Sequence, residues 1–145
     1  MDVARKVALW LIKRFEGCRL VAYLCPARVW TIGWGATGPD VKQGVVWSQE
    51  QADARLEHDL GVYLSGSARL CPLVSDERLG AIADFAYNLG LTRLSGSTLR
   101  RLINAGQYDD AAEEIKKWVW AGGRKLPGLI LRRSAESEII RKGTA

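Results

Sequence analysis

The chain has 145 residues, 48% of them apolar, and carries 21 Lys and Arg against 16 Asp and Glu for a net charge of +5. That length suits one domain with a sizeable core, and the mix of apolar and charged residues excludes a disordered chain. The basic surplus speeds approach to polyanions such as nucleic acid, lipopolysaccharide or anionic cell wall, yet with no block of like charge it serves simple solubility equally well.

In chain order, Ala4, Val7, Ala8, Leu11 and Phe15 fall on one face at helical spacing, which predicts a first helix ending near Gly17. Its apolar run from Val7 to Ile12 is six residues long. A bilayer needs about 20. Lys13, Arg14 and Glu16 follow where a small-residue cleavage site would stand, so neither membrane insertion nor an export signal is expected. Leu20-Val21-Ala22-Tyr23 and Val29-Trp30-Thr31-Ile32 are β-prone runs around Cys25-Pro26-Ala27-Arg28 and predict a small hairpin. Gly33 and Gly35 suit a tight bend after it, and Thr37-Gly38-Pro39-Asp40 is turn material.

Ser48 with Gln51 reads as a capping box opening a helix striped by Ala52, Leu56, Leu60 and Tyr63 or Leu64. A helix from about Asp76 to Leu89 follows, with Gly90 as its stop. Shorter helices are expected from Thr98 to Ala105 and from Asp109, as N-cap, to about Trp120. Gly122-Gly123 breaks the chain, and a last helix runs from about Pro127 to Ile140. One short β element and five or six helices make the fold class α+β. Three cysteines, Cys18, Cys25 and Cys71, cannot all pair, there is no C-x-x-C, and the single His58 reads as surface. A structural zinc is therefore not expected.

Glu16, Cys25 and Thr31 form the pattern E-x8-C-x5-T-I-G-W-G. A Glu at a helix end beside Phe15 stands where an aromatic neighbour lowers the local dielectric, the setting of a general acid. The hairpin turn returns toward that helix end, so Cys25 and Thr31 can face the same point. Thr31 can donate and accept one hydrogen bond each, and Cys25 could serve as a weak base or as a covalent nucleophile.

This pattern resembles the active-site signature of the phage-type lysozymes, the T4-like muramidases, with Cys25 where most relatives have Asp. The resemblance extends along the chain. Phe85-Ala86-Tyr87-Asn88-Leu89-Gly90, Gly96-Ser97-Thr98-Leu99, Gln107-Tyr108-Asp109-Asp110-Ala111-Ala112, and Gly128-Leu129 with Arg132-Arg133 and Glu136 are similar to family segments, in family order. One departure is Ala36, where relatives usually carry His. The likeness implies a lysozyme-like fold in a single domain, 1–145. Residues of roughly 12–65 would form a hairpin-containing lobe with a bridging helix, and 1–11 with 66–145 a helical lobe across a cleft.

It implies an endolysin muramidase that hydrolyses the β-1,4 bond between N-acetylmuramic acid and N-acetylglucosamine in peptidoglycan, for host cell lysis. Glu16, Cys25 and Thr31 would be its catalytic residues, and Trp34 and Asn88 would contact the glycan. Arg132 or Arg133 would reach an acidic group near Glu16, while Trp10, Trp47 and Trp118 are expected in the core. Relatives caged by a disulfide imply that Cys18 and Cys25 form a redox switch. The implied protein is a monomer made in the host cytoplasm, acting on periplasmic glycan strands and dependent on a separate holin. Alternatives are a lytic transglycosylase or a catalytically inactive peptidoglycan-binding module. A nucleic-acid binder is disfavoured because Lys and Arg are dispersed.

Overall fold

The computed structural model describes residues 2–145. Helix α1 (Asp2–Glu16) is followed by strands β1 (Arg19–Leu24) and β2 (Trp30–Gly33), then by α2 (Gln49–Leu70) and α3 (Asp76–Leu89). Next come α4 (Leu91–Ser95), α5 (Thr98–Asn104) and α6 (Tyr108–Ile115), a two-residue hairpin β3 (Trp120–Ala121) with β4 (Arg124–Lys125), and α7 (Pro127–Lys142). The α+β expectation holds, with more β structure than foreseen.

Three apolar clusters organise the molecule. The largest joins Val7 and Leu11 of α1 to Ile82 and Phe85 of α3, Leu99 of α5, Ile115 of α6 and Ile140 of α7. A second packs Ala8 and Ile12 of α1 against Leu56, Leu60 and Leu64 of α2. A third sits under the β1–β2 hairpin, where Ile32, Ala36 and Val41 are buried with Trp30 and Trp47 against them. Each fully buried Leu, Ile or Phe contributes about 1.5–3 kcal/mol of transfer energy. Helices α1 and α3 belong to both of the larger clusters, so the glutamate ending α1 is set by the core itself.

The hairpin is irregular in a useful way. Tyr23 pairs with Thr31 and Leu24 with Trp30, whereas Arg19 pairs with Gly33, so β1 carries two extra residues between those registers. In that gap β1 turns to the chain beyond, with the Ala22 amide donating to Val45 at 2.9 Å and the Trp47 amide to Leu20 at 2.9 Å. The turn itself is closed by the Arg28 amide donating to the Cys25 carbonyl at 2.7 Å. Pro26 fits its first inner position and Arg28 takes a left-handed φ of 63°.

Several expectations are corrected. The helix expected from Asp109 to Trp120 is α6, capped at Gln107 and ended at Ile115. The Gly122-Gly123 break is a hairpin turn: both glycines have positive φ, 58° and 77°, and Ala121 pairs with Arg124 across them. A two-residue loop with both φ positive matches the twist of its strands and calls for glycine. Trp10, expected in the core, is 58% exposed and lies beneath the Arg14 guanidinium. Trp118 packs edge-on against Phe85 as expected. His58 is exposed on α2.

Candidate active site

A cleft of about 710 Å³ runs between the β1–β2 hairpin on one side and α3, α7 and the β3–β4 hairpin on the other. Glu16, Cys25 and Thr31 all line it, as does Asn88. Local structure explains this convergence. Tyr23 lies near the end of β1, Cys25 stands two residues on at the start of the turn, and Thr31 pairs directly with Tyr23. The Thr31 hydroxyl donates to the Val29 carbonyl at 2.9 Å. Its one proton is thereby spent, and its remaining lone pairs can only accept, as from a water O–H.

Glu16 is held from two directions. Its Oε2 accepts from Arg132 Nη1 at 2.7 Å, and its side chain is 17% exposed. Beneath it runs Gly35 at φ 87°, where a Cβ would stand 2.6 Å from the carboxyl carbon. Only glycine fits that approach. The loop carrying Gly35 is pinned by paired amide bonds between Ile32 and Ala36 at 2.9 and 2.8 Å, and by the Tyr87 hydroxyl donating to the Trp34 carbonyl at 2.6 Å. Phe15 lines the cleft beside Glu16, but the expected apolar setting is half the picture, because the carboxylate faces a guanidinium.

Behind Glu16 lies a buried polar chain between α3 and α7. Arg132 makes a forked pair with Asp84, Nε to Oδ2 at 3.0 Å and Nη2 to Oδ1 at 2.7 Å. The next residue, Arg133, is fully buried against the Phe85 ring and donates Nη2 to Asn88 Oδ1 at 2.6 Å. Arginine has no acceptor, so Asn88 must present its oxygen to Arg133, which leaves its NH2 group for the cleft. Glu136 completes the chain, fully buried with Oε2 at 3.0 Å from Arg133 Nε. That contact is not aligned as a hydrogen bond, and both Glu136 oxygens lack a donor.

Burial pushes the Glu136 carboxyl well above the usual carboxylate range, which favours its protonated form. Burial opposes ionisation of Asp84 too, but the Arg132 guanidinium beside it holds that carboxyl below its ordinary value. Burial and then the Glu16 charge raise the Tyr23 and Tyr87 phenols, keeping both as neutral donors.

Two proposed site residues are placed elsewhere. Trp34 does not line the cleft: its Nε1 donates to Asp53 on α2 at 2.8 Å, and Lys13 lies over its ring. The tight bend at Gly33–Gly35 turns the indole away from Glu16, toward α1 and α2. The tryptophan that lines the cleft is Trp120, 59% exposed on β3.

Cys18 and Cys25 are likewise not brought together. Six-residue β1 separates them, a span of about 20 Å when extended, whereas a disulfide needs Cα atoms within about 7 Å. Cys18 Sγ instead accepts from Gln49 Nε2 at 3.6 Å, and all three cysteines are free thiols. Cys71 is buried, its thiol pushed up to about 11 by that burial.

Sequence reasoning missed Tyr23, Asp84 and Trp120. Signals existed for two of them. Tyr23 stands two residues before Cys25 in a β-prone run, and Asp84 is an acid inside the apolar run Ala81-Ile82-Ala83 and Phe85-Ala86, one helical turn before Asn88. Among the described residues no group of three or more His, Cys, Asp and Glu is placed to hold a metal ion. No helix there is long and apolar enough to cross a membrane.

The phage lysozyme family model matches residues 13–136, which spans the β1–β2 hairpin, the residues lining the cleft, and Arg132 and Arg133 of α7. The chain belongs to the phage lysozyme family. This phage lysozyme is 40% identical over 146 residues to an endolysin of Acyrthosiphon pisum secondary endosymbiont phage 1, covering 97% of this chain and 98% of that one. It is 38% identical over 136 residues to the endolysin of Bacillus phage B103, covering 92% of this chain and 52% of that one. It therefore spans about half the length of that Bacillus phage relative. Among solved structures, the endolysin from Escherichia coli O157:H7 phage FAHEc1 superposes with a TM-score of 0.81 at 30% identity, covering 96% of this chain and 93% of that one.

Proposed function

We propose that this phage lysozyme is an endolysin muramidase that hydrolyses the β-1,4 bond between N-acetylmuramic acid and N-acetylglucosamine of peptidoglycan, for host cell lysis. The observation that carries the reading is one cleft lined by Glu16, Cys25 and Thr31 together. Glycoside cleavage needs an acid for the leaving oxygen and an attacker on the other side of the sugar. Glu16 protonates the glycosidic oxygen. Thr31, able only to accept, orients a water, and Cys25 acts on that water as positioner and weak base. The free NH2 of Asn88 offers a donor to an N-acetyl carbonyl, and Trp120 offers a face to a sugar ring.

In this reading residues of roughly 12–65 form one lobe and 1–11 with 66–145 the other, and the two open about the cleft. The protein acts as a monomer, made in the host cytoplasm and admitted to the periplasm by a separate holin. A Cys18–Cys25 disulfide has no place in it without dissolving β1.

The deciding experiment is mass analysis of products released from purified peptidoglycan by the reduced protein, with Glu16→Gln as the blank. Products with reducing-end muramic acid, absent from the blank, are expected. Anhydro-muramic products would make it a transglycosylase, and wall binding without any product would make it a binding module.

A further inference from the structure

A guanidinium 2.7 Å from a general acid is a poor arrangement at first sight, because a cation so close favours the ionised carboxylate. Arg132 is not, however, a free cation. Two of its nitrogens are engaged by Asp84 in a fork whose members are 3% and 0% exposed, and only Nη1 reaches Glu16. Charge in so dry a site is screened little by solvent, so a carboxylate on the far side of the guanidinium offsets most of what the near side would otherwise exert.

We propose that Asp84 is a positioning residue of the reaction: by neutralising Arg132 it lets that arginine orient Glu16 through one hydrogen bond without stripping the proton Glu16 must deliver. This role rests on Glu16 being the acid. Asp84 touches neither the cleft nor substrate and acts only through Arg132.

The other groups facing Glu16 do not supply the same balance. From β1 comes Tyr23, from α3 Tyr87, both phenols, and from the hairpin turn the Cys25 thiol. From α7 come Arg132 and, farther along the buried chain, Arg133 against Phe85 and Asn88, with Glu136 beside it. On α1 itself Lys13 and Arg14 are exposed and engaged with aromatic rings. Asp84 is thus the one carboxylate besides Glu16 that contacts Arg132 among these groups.

The test is the pH profile of kcat/KM on peptidoglycan for the wild type, Asp84→Asn and the double variant Asp84→Asn/Arg132→Gln, with Glu16→Gln as control and folding checked by near-UV circular dichroism. Asp84→Asn exposes Glu16 to the whole Arg132 charge, so its alkaline limb should move down by about one pH unit, with about tenfold less activity above the limb. The acid-side plateau should be kept. The double variant replaces the charged fork by a neutral amide pair and should restore the limb to within about half a unit of wild type.

A uniform loss in Asp84→Asn with an unmoved limb would overturn the proposal, since that is what a purely structural fork predicts. If Asp84→Asn does not fold, the double variant decides alone. An upward-moved limb would mean that Asp84 serves to hold Arg132 against Glu16 and not to offset its charge, and would equally overturn it. Turnover by Glu16→Gln would instead sink the assignment of the acid, leaving a distinct signature from failure of the Asp84 role.

Discussion

Arg28 sits at φ 63° at the end of the turn that presents Cys25, a conformation costing an L-residue about 1–2 kcal/mol and a glycine nothing. It is exposed, does not line the cleft, and contributes only its amide to the turn. Arg28→Gly should therefore raise stability by about 0.5–1 kcal/mol after glycine's own entropy loss, measured as a shift in denaturant midpoint at unchanged slope. Unchanged or lowered stability would mean that the turn is not strained. At this scale the sequence was most readable where chemistry depends on a spacing. Glu16, Cys25, Thr31 and Asn88 all line one cleft, and Arg132 reaches Glu16. Trp34 failed because an aromatic beside the signature says nothing of which way a bend with two positive-φ glycines points the ring.

Helix α2 illustrates what makes an element legible. Ser48 accepts from the Gln51 amide at 3.1 Å while the Gln51 side chain accepts from the Ser48 amide at 2.8 Å. Both bonds were implied by two residue types three apart. Ser48→Ala should cost about 1 kcal/mol in a thermal or chemical melt, and a variant as stable as wild type would show the cap to be redundant. Elements too short to carry a period were lost. Five-residue α4 has one buried side chain, Leu94, and β3 and β4 have two residues each, fewer than one repeat of alternation. The missed hairpin was marked only by Gly122-Gly123, which signals a turn as readily as a break.

For the molecule as a whole, the buried chain from Glu16 to Asn88 ties stability to pH in two opposite senses. Glu136 keeps its proton when folded but releases it above its ordinary value of 4.5 when unfolded. Its stabilising contribution is complete below that pH and is lost as pH rises toward the folded value. Asp84 is held below its ordinary value of 3.8, so its contribution is present above that pH and is lost as pH falls through the folded value. Glu136→Gln cannot ionise, so its unfolding free energy should fall less than that of wild type between about pH 5 and pH 8, with the acid limb retained. Parallel curves would mean that Glu136 is not protonated in the fold. None of this was visible in sequence, where Asp84 and Glu136 lie 52 residues apart and only packing of α3 on α7 joins them.

The Pro26 carbonyl lies so close to Gly122 that a Cβ there would come within 2.6 Å of it, so the tips of the two hairpins touch from opposite sides of the cleft. At rest the molecule is thus a hoop, not an open trough. A polymer with free ends can be threaded through a hoop, but an interior bond of a cross-linked mesh can enter only when the hoop parts. On the proposed function, an interior cut would include one parting of Pro26 from Gly122, a step that changes in proton transfer would leave untouched.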